Sequence, residues 1–151
     1  MDIISKTLEF FSISVPEPKP KNMEVQMGCH FEEIAEMLNE VRATSTRGRR
    51  AIQNAKDRIH ELAEFAKNDP KGVVYVPEEN RLNFLDAICD QLVTATGCGY
   101  MHGMDIAGGL NEVNNSNFSK LVNGKPVFLD NGKIGKGPDY FKPDLTPFIG
   151  G

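Results

Sequence analysis

Residues 25–43 read VQMGCHFEEIAEMLNEVRA, and this stretch decides the fold class. Met27, Phe31, Ile34, Leu38 and Val41 recur at intervals of three and four among good helix formers, which predicts a long amphipathic helix. At ~100° per residue, Glu32, Glu33, Glu36 and Glu40 share an arc of roughly 100° opposite that apolar stripe. No lysine or arginine lies between Met23 and Val41, so nothing on the same helix neutralises the carboxylates. Like charges one turn apart weaken a helix, and the compensation must come from elsewhere in the fold or from a ligand.

Working outwards, Ile3, Ile4, Leu8 and Phe11 form one stripe of a short helix over residues 3–13, ended by Pro16-Glu17-Pro18-Lys19-Pro20. On the C-terminal side, Thr44-Ser45-Thr46 offers cap oxygens to a second long helix over residues 48–67. That helix carries Ala51, Ala55, Ile59, Leu62, Ala63 and Ala66 on one face and Arg and Glu on the other. Asn68 to Gly72 stops it, Val73 to Val76 is extended, and Asn80 can cap a third long helix reaching about Met101. A further helix is expected over residues 104–121. Pro126 to Lys136 reads as a β-hairpin turning at Asp130-Asn131-Gly132, because Asn-Gly accepts the positive φ angles of a two-residue loop. The expected architecture is mainly α, a bundle of four to five helices with a small C-terminal hairpin. It reads as one domain over 1–151: an N-terminal helix and Pro-rich connector (1–21), a helical core (22–121), and a hairpin and tail (122–151).

The chain has 151 residues, of which 40% are hydrophobic and 25% charged, the proportions of an ordinary globular protein. At this length a compact chain hides roughly 68–70% of its unfolded surface, enough for a core without disulfide staples. The three cysteines, Cys29, Cys89 and Cys98, are odd in number and never spaced CxxC, which argues against a disulfide scaffold or a zinc ribbon. No basic leader and no apolar run near ~20 residues is present, so the expectation is a cytoplasmic protein outside the membrane. A net charge of −4 disfavours binding to duplex nucleic acid.

The third long helix adds the second acidic feature. From Leu82 to Glu112 there is no Lys or Arg, and Phe84, Leu85, Ile88, Leu92 and Val93 make the helix apolar nearly all round, which predicts burial. Asp86 and Asp90 sit one turn apart on it, and two buried unpaired carboxylates would cost several kcal/mol. A hard divalent cation, Mg²⁺ or Mn²⁺, shared with the glutamates of the first long helix would remove that cost. Mg²⁺ commonly completes its shell with substrate phosphates, and Lys120, Lys125, Lys133, Lys136 and Lys142, beside Asn114, Asn115 and Asn117, offer donors to them. The glycines Gly132, Gly135 and Gly137 form no Walker or dinucleotide fingerprint.

Phe31-Glu32-Glu33-Ile34-Ala35-Glu36 contains EExxE, and with the later pair Asp86 and Asp90 it resembles the all-α MazG-type nucleoside triphosphate pyrophosphohydrolases. The runs LDAICDQLVTATG (85–97), EVNNSNFSKL (112–121) and KGPDYFKPDL (136–145) are similar to the phosphoribosyl-ATP pyrophosphohydrolase-like branch often encoded by bacteriophages and bacteria. The resemblance spans roughly residues 22–145. It implies that Glu32, Glu33, Glu36 and Asp90 hold Mg²⁺. The usual ExxD motif is broken because Ala87 stands three before Asp90, and Asp86, on the same face, takes its place. It further implies that Asn117 and Lys120 contact phosphates and that Lys136 and Tyr140 border the substrate, while Gln26 stands where it can reach a base edge.

The expected reaction is Mg²⁺-dependent hydrolysis of a (deoxy)nucleoside triphosphate to the monophosphate and pyrophosphate, with Glu33 or Glu36 as base. Phosphoribosyl-ATP as substrate, or a helical module that binds nucleotide or metal without turnover, are the alternatives. A homodimer or homotetramer is expected, with the N-terminal helix and its Phe10 and Phe11 as the contact surface.

Overall fold

A computed structural model of the chain describes residues 2–71 and 73–150. The protein is mainly helical, with five α-helices among those residues: α1 (Ile3–Ser14), α2 (Pro20–Glu40), α3 (Thr46–Asn68), α4 (Arg81–Met101) and α5 (Ile106–Phe118). Single 3₁₀ turns at Glu78–Asn80 and Thr146–Phe148 complete the regular structure. Each expected helix is present, and the ends are set by local chemistry. Asp2 caps α1 by accepting from the Ser5 amide (3.0 Å), Ser45 caps α3 through Gly48 N–H (3.0 Å), and Asp105 caps α5 through Gly108 N–H (2.9 Å). α2 starts five residues earlier than its periodicity suggests. Pro20 is its first residue, where a missing N–H costs nothing, and the Asn22 side chain accepts from the Lys19 amide (3.0 Å).

Contacts gather the chain into two compact units. One holds α2, α3, the extended stretch up to Tyr75, and residues 128–133. Its seam is made of small residues: Gly28 of α2 meets Ala63 and Ala66 of α3, and all three are buried, as is Ala35 two turns further along α2. A Cβ on Gly28 would stand 2.6 Å from Lys67 Cγ and 3.0 Å from the Ala63 carbonyl oxygen, so the two helices touch almost backbone to backbone there. Glu24, 7% exposed, anchors the extended stretch by accepting from the Val74 amide (3.0 Å).

The second unit holds α1, α4, α5 and the tail. α1 lies on α5 through Phe10, which is 4% exposed and edge-on to Phe118 at 5.7 Å. Asn114 of α5, 1% exposed, accepts from Thr7 Oγ1 (2.9 Å) and donates to the Ile3 carbonyl (3.2 Å). The apolar stripe of α1, expected to be an oligomer surface, thus places Phe10 inside its own unit. α4 ends in a Schellman turn: Gly103 adopts φ +72°, Met104 N–H bonds Gly99 O and Gly103 N–H bonds Tyr100 O, both at 3.0 Å.

Two expectations are corrected. The C-terminal β-hairpin over residues 126–136 is not formed as strands. At Asp130-Asn131-Gly132 only Gly132 has positive φ (+83°), and Leu129 O accepts from Gly132 N–H while Leu129 N–H bonds Lys133 O, both at 2.8 Å. This is a three-residue loop in which a left-handed glycine follows the turn, with too few rungs beyond it to make a ladder. The two-residue Asn-Gly turn occurs instead at Asn123 (φ +52°) and Gly124 (φ +72°), closed by a single antiparallel bridge between Val122 and Lys125. The second correction concerns α4. It was expected to be buried, yet Gly99 is its one buried residue, and Asp86 and Asp90 are exposed. Solvated carboxylates need no cation to be tolerated, so the burial argument for metal at that pair falls away.

Candidate functional site

The α2–α3 hairpin brings chemistry together because the helices run antiparallel, with Gly28 of α2 against Ala63 and Ala66 of α3 setting the register. Glu32, Glu36 and Asn39, at helical spacing on α2, line an open groove of about 320 Å³. Lys56, Asp57 and His60 of α3 form its other wall, with Ala35 at the floor. The groove therefore contains two carboxylates of the EExxE run, a third carboxylate, an imidazole and an ammonium. Glu33 and Glu40, on the same side of α2, are exposed and do not line it.

Glu32 answers the question of what compensates the acidic face. One carboxylate oxygen accepts from Lys67 Nζ at 2.9 Å and the other from Lys133 Nζ at 2.6 Å, while Lys67 also bridges to Glu64 at 2.7 Å. The Lys67 side chain is only 4% exposed, and Glu32 retains 21%. Burial acts to raise the Glu32 pKa, but the hydrogen bonds from Lys133 and Lys67 outweigh it and hold the carboxyl below the usual glutamate range. For Lys67, burial acts to lower the pKa and the hydrogen bonds from Glu64 and Glu32 outweigh that, so the ammonium is held above its ordinary value. Both charges persist across neutral pH. Cys29, on the turn before Glu32, has its thiol pushed up by burial, which disfavours a thiolate ligand or nucleophile there.

The residues expected to touch substrate fall in two places. Gln26 is exposed on α2. Asn117, Lys120, Lys136 and Tyr140 lie together where α5 meets the tail: Lys120 Nζ donates to Asn117 Oδ1 (2.7 Å), Gly137 N–H donates to Lys120 O (3.1 Å), and Lys136 Nζ sits 4.6 Å over the Tyr140 ring. Gly137 is obligatory in that joint, since a Cβ would stand 2.7 Å from Lys120 O. Ser116 and Ser119 tie the tail further, bonding Phe141 O (2.7 Å) and accepting from Phe141 N–H (3.1 Å). Asn114 and Asn115, expected among phosphate donors, are engaged with α1, Asn115 accepting from Lys6.

Asp86 and Asp90 stand on α4 in the other unit from the glutamates. Among the described residues no three His, Cys, Asp or Glu side chains gather closely enough to hold a metal ion unaided. Sequence reasoning missed Lys56, Asp57 and the groove position of His60. Counting outwards from Val41–Ser45 places Arg50, not residues 56–60, opposite Glu36; the register is set by the close approach of Gly28 to Ala63, which only the folded pair shows. Lys133 likewise carried no signal, since only the folded loop brings it to Glu32. No protein-family model, no curated protein and no solved structure matches the chain.

Proposed function

We propose that the chain is a Mg²⁺-dependent hydrolase that converts a (deoxy)nucleoside triphosphate to the monophosphate and pyrophosphate. The observation that carries this reading is the placement of Glu36, from the EExxE run, in one groove with Asp57 and His60. Mg²⁺ is usually held by one or two carboxylates together with substrate phosphates, so Glu36 and Asp57 fit it as a donor pair and Mn²⁺ fits equally. When bound, the ion polarises phosphate oxygens and acidifies a water. Glu32 is assigned to hold Lys67 and Lys133 in place, Lys133 at the part-exposed edge where an anionic substrate gains from its charge. Glu33 or Glu36 accepts the proton of the attacking water, and Asp86 and Asp90, ligands by the resemblance, stand exposed in the other unit and are not among the residues lining this groove. Asn117, Lys120, Lys136, Tyr140 and Gln26 are the substrate contacts in this reading. Phosphoribosyl-ATP is the alternative substrate within the same chemistry.

The test is incubation with each of the eight common nucleoside triphosphates and with phosphoribosyl-ATP in Mg²⁺, scoring monophosphate and pyrophosphate by ion exchange. Glu36→Gln is expected to lower kcat by roughly 10²–10⁴-fold, the range for loss of a general base. Asp57→Asn should mainly raise the Mg²⁺ concentration needed for half-maximal rate. Absence of pyrophosphate from every substrate overturns the reading. A second reading, a nucleotide-binding module without turnover, is favoured by one fact: Glu32 already has both oxygens neutralised by lysines. Calorimetric binding of a triphosphate with no product after long incubation would establish it.

A further inference from the structure

The cations of the α2–α3 unit are paired with carboxylates everywhere but in one region. Lys67 and Lys133 both bond Glu32, Lys21 bridges to Glu24 and Arg58 to Glu61. Lys56 stands part-buried in the groove wall beside Asp57 and across from Glu36, yet among the described residues it forms no ion pair with either. From Arg42 to Lys56 the chain carries five cations, Arg42, Arg47, Arg49, Arg50 and Lys56, and no Asp or Glu, so with a net charge of −4 the other residues sum to −9. The register places these cations at the tip of the hairpin. Gly28 lies against Ala63 and Ala66, so Glu40, twelve residues further along α2, comes level with residues 51–54, and Thr46 to Arg50 project beyond the end of α2. The loop across the tip is fixed. Ala43 packs on Gly48, where an added Cβ would stand 2.7 Å from Ala43 Cβ. Arg42 Nη1 donates to the Asn39 and Val41 carbonyls, and Arg49 Nη1 donates to Thr44 O at 2.6 Å. These bonds orient both guanidiniums without neutralising them, since a carbonyl carries no net charge.

We propose that Lys56 is the anion anchor of this groove and binds the terminal phosphate of a polyphosphate chain laid lengthwise in it, the free end turned towards the arginine tip. This rests on the reading of the groove as the substrate site, and adds the direction of the substrate and the residue that selects its length. The groove is graded in charge: Glu32, Glu36 and Asp57 make one end acidic, and Lys56 with the tip makes the other cationic. Side chains lean towards the N-terminus of their helix, which for α3 is the tip, so the long Lys56 chain leads out of the groove in that direction. Carboxylates repel phosphate, and the terminal phosphate carries the most charge, so it settles at the cationic end. Lys56 supplies the contact there. The arginines beyond it supply a field, which salt screens over about 8–10 Å at physiological strength. No Phe, Tyr or Trp lies between Glu32 and Glu64, so this hairpin offers no ring on which nucleobases stack, and a phosphate chain fits it better than single-stranded nucleic acid.

Calorimetric titration of the full chain with inorganic tripolyphosphate tests the anchor apart from turnover. Wild type should bind it with Kd below about 1 mM, and orthophosphate at least ~10-fold more weakly. Lys56→Gln should weaken tripolyphosphate by ~10-fold, the loss of one hydrogen bond between charged groups. Arg58→Gln, on the opposite side of α3 and paired with Glu61, should change it by less than about twofold. The pair Arg42→Gln, Arg49→Gln should weaken binding at about 0.01 M salt and much less at about 0.15 M, while the effect of Lys56→Gln persists. An arginine effect as persistent as that of Lys56 moves the terminal phosphate to the tip and overturns the assignment. No binding of tripolyphosphate, orthophosphate bound equally well, or equal losses from Lys56→Gln and Arg58→Gln overturn it too. If tripolyphosphate binds through Lys56 while no nucleoside triphosphate is turned over, the anchor stands and the hydrolase reading falls. If triphosphates are hydrolysed with the same KM by wild type and Lys56→Gln, the hydrolase reading stands and the anchor falls.

Discussion

Glu32→Gln isolates the charge at the centre of the α2–α3 unit. The substitution keeps the shape but leaves one acceptor oxygen: the charge-assisted hydrogen bond from Lys67, at 2.9 Å, becomes a neutral-acceptor one, and that from Lys133, at 2.6 Å, is lost because an amide NH2 cannot accept from an ammonium. A bond to a charged group contributes about 1.5–3 kcal/mol and a neutral one about 0.5–1.5, so the bond that is kept loses about 1–1.5 kcal/mol. The Lys133 side chain is 37% exposed, and water screens most of its share, so the expected total is about 1.5 kcal/mol, nearly all through Lys67. Lys67 keeps Glu64 and is not stranded. The folded-state pKa of Glu32 is depressed below the ordinary 4.5, so its contribution is present above about that pH and disappears as pH falls through the folded value. Urea unfolding of wild type and variant should therefore differ by about 1.5 kcal/mol at pH 7 and converge in strong acid. Equal stability at pH 7, or a difference that persists undiminished in acid, refutes the ion-pair account of the acidic face.

Lys67 predicts the opposite limb: its pKa is raised above 10.5, so the stability it contributes is intact below that pH and is lost as pH climbs through the folded value, a decline that Lys67→Met should abolish in an alkaline titration. Gly28→Ala trades about 1 kcal/mol of helix propensity against overpacking of about 1–3 kcal/mol where a Cβ meets Lys67 and the Ala63 carbonyl, so urea unfolding should show net destabilisation of up to about 2 kcal/mol. Asn114→Leu removes the bonds to Thr7 Oγ1 and the Ile3 carbonyl at a nearly sealed site, while those two groups keep their own bond at 3.2 Å, so the cost should be about 1–2 kcal/mol in the same measurement. Ser14 Oγ is buried without a hydrogen-bond partner, so Ser14→Ala should raise stability by about 1 kcal/mol in thermal unfolding.

The helices were legible because their information is local. Periods of three and four, a Ser at 45 and Asp residues at 2 and 105, and a glycine at 103 act within a turn or two of themselves. Half of the candidate groove was legible for the same reason: Glu32 and Glu36 share a helix face by spacing alone. The hairpin was misplaced because two Asn-Gly pairs exist and local sequence does not rank them. Asn123-Gly124 closes directly after α5, while residues 128–133 are drawn to α2 and α3, Asn131 bonding Asn68 at 3.2 Å and Lys133 reaching Glu32. That long-range pairing competes with extending the ladder, and no residue within the loop announces it.

α4 shows why an apolar pattern fixes less than it suggests. A helix whose one cation is Arg81 at its first residue, with leucines on several sides, reads as one that escapes water, and burial within its own chain is the first inference. On α4 only Gly99 is buried, in one close approach to Ile106 of α5, while Asp86 and Asp90 are exposed, so the carboxylates that suggested a buried metal centre meet water. The step from buried carboxylates to a cation fails with its premise, because a hydrated carboxylate needs no counter-ion to be tolerated, and the proposed metal site rests instead on the α2–α3 groove.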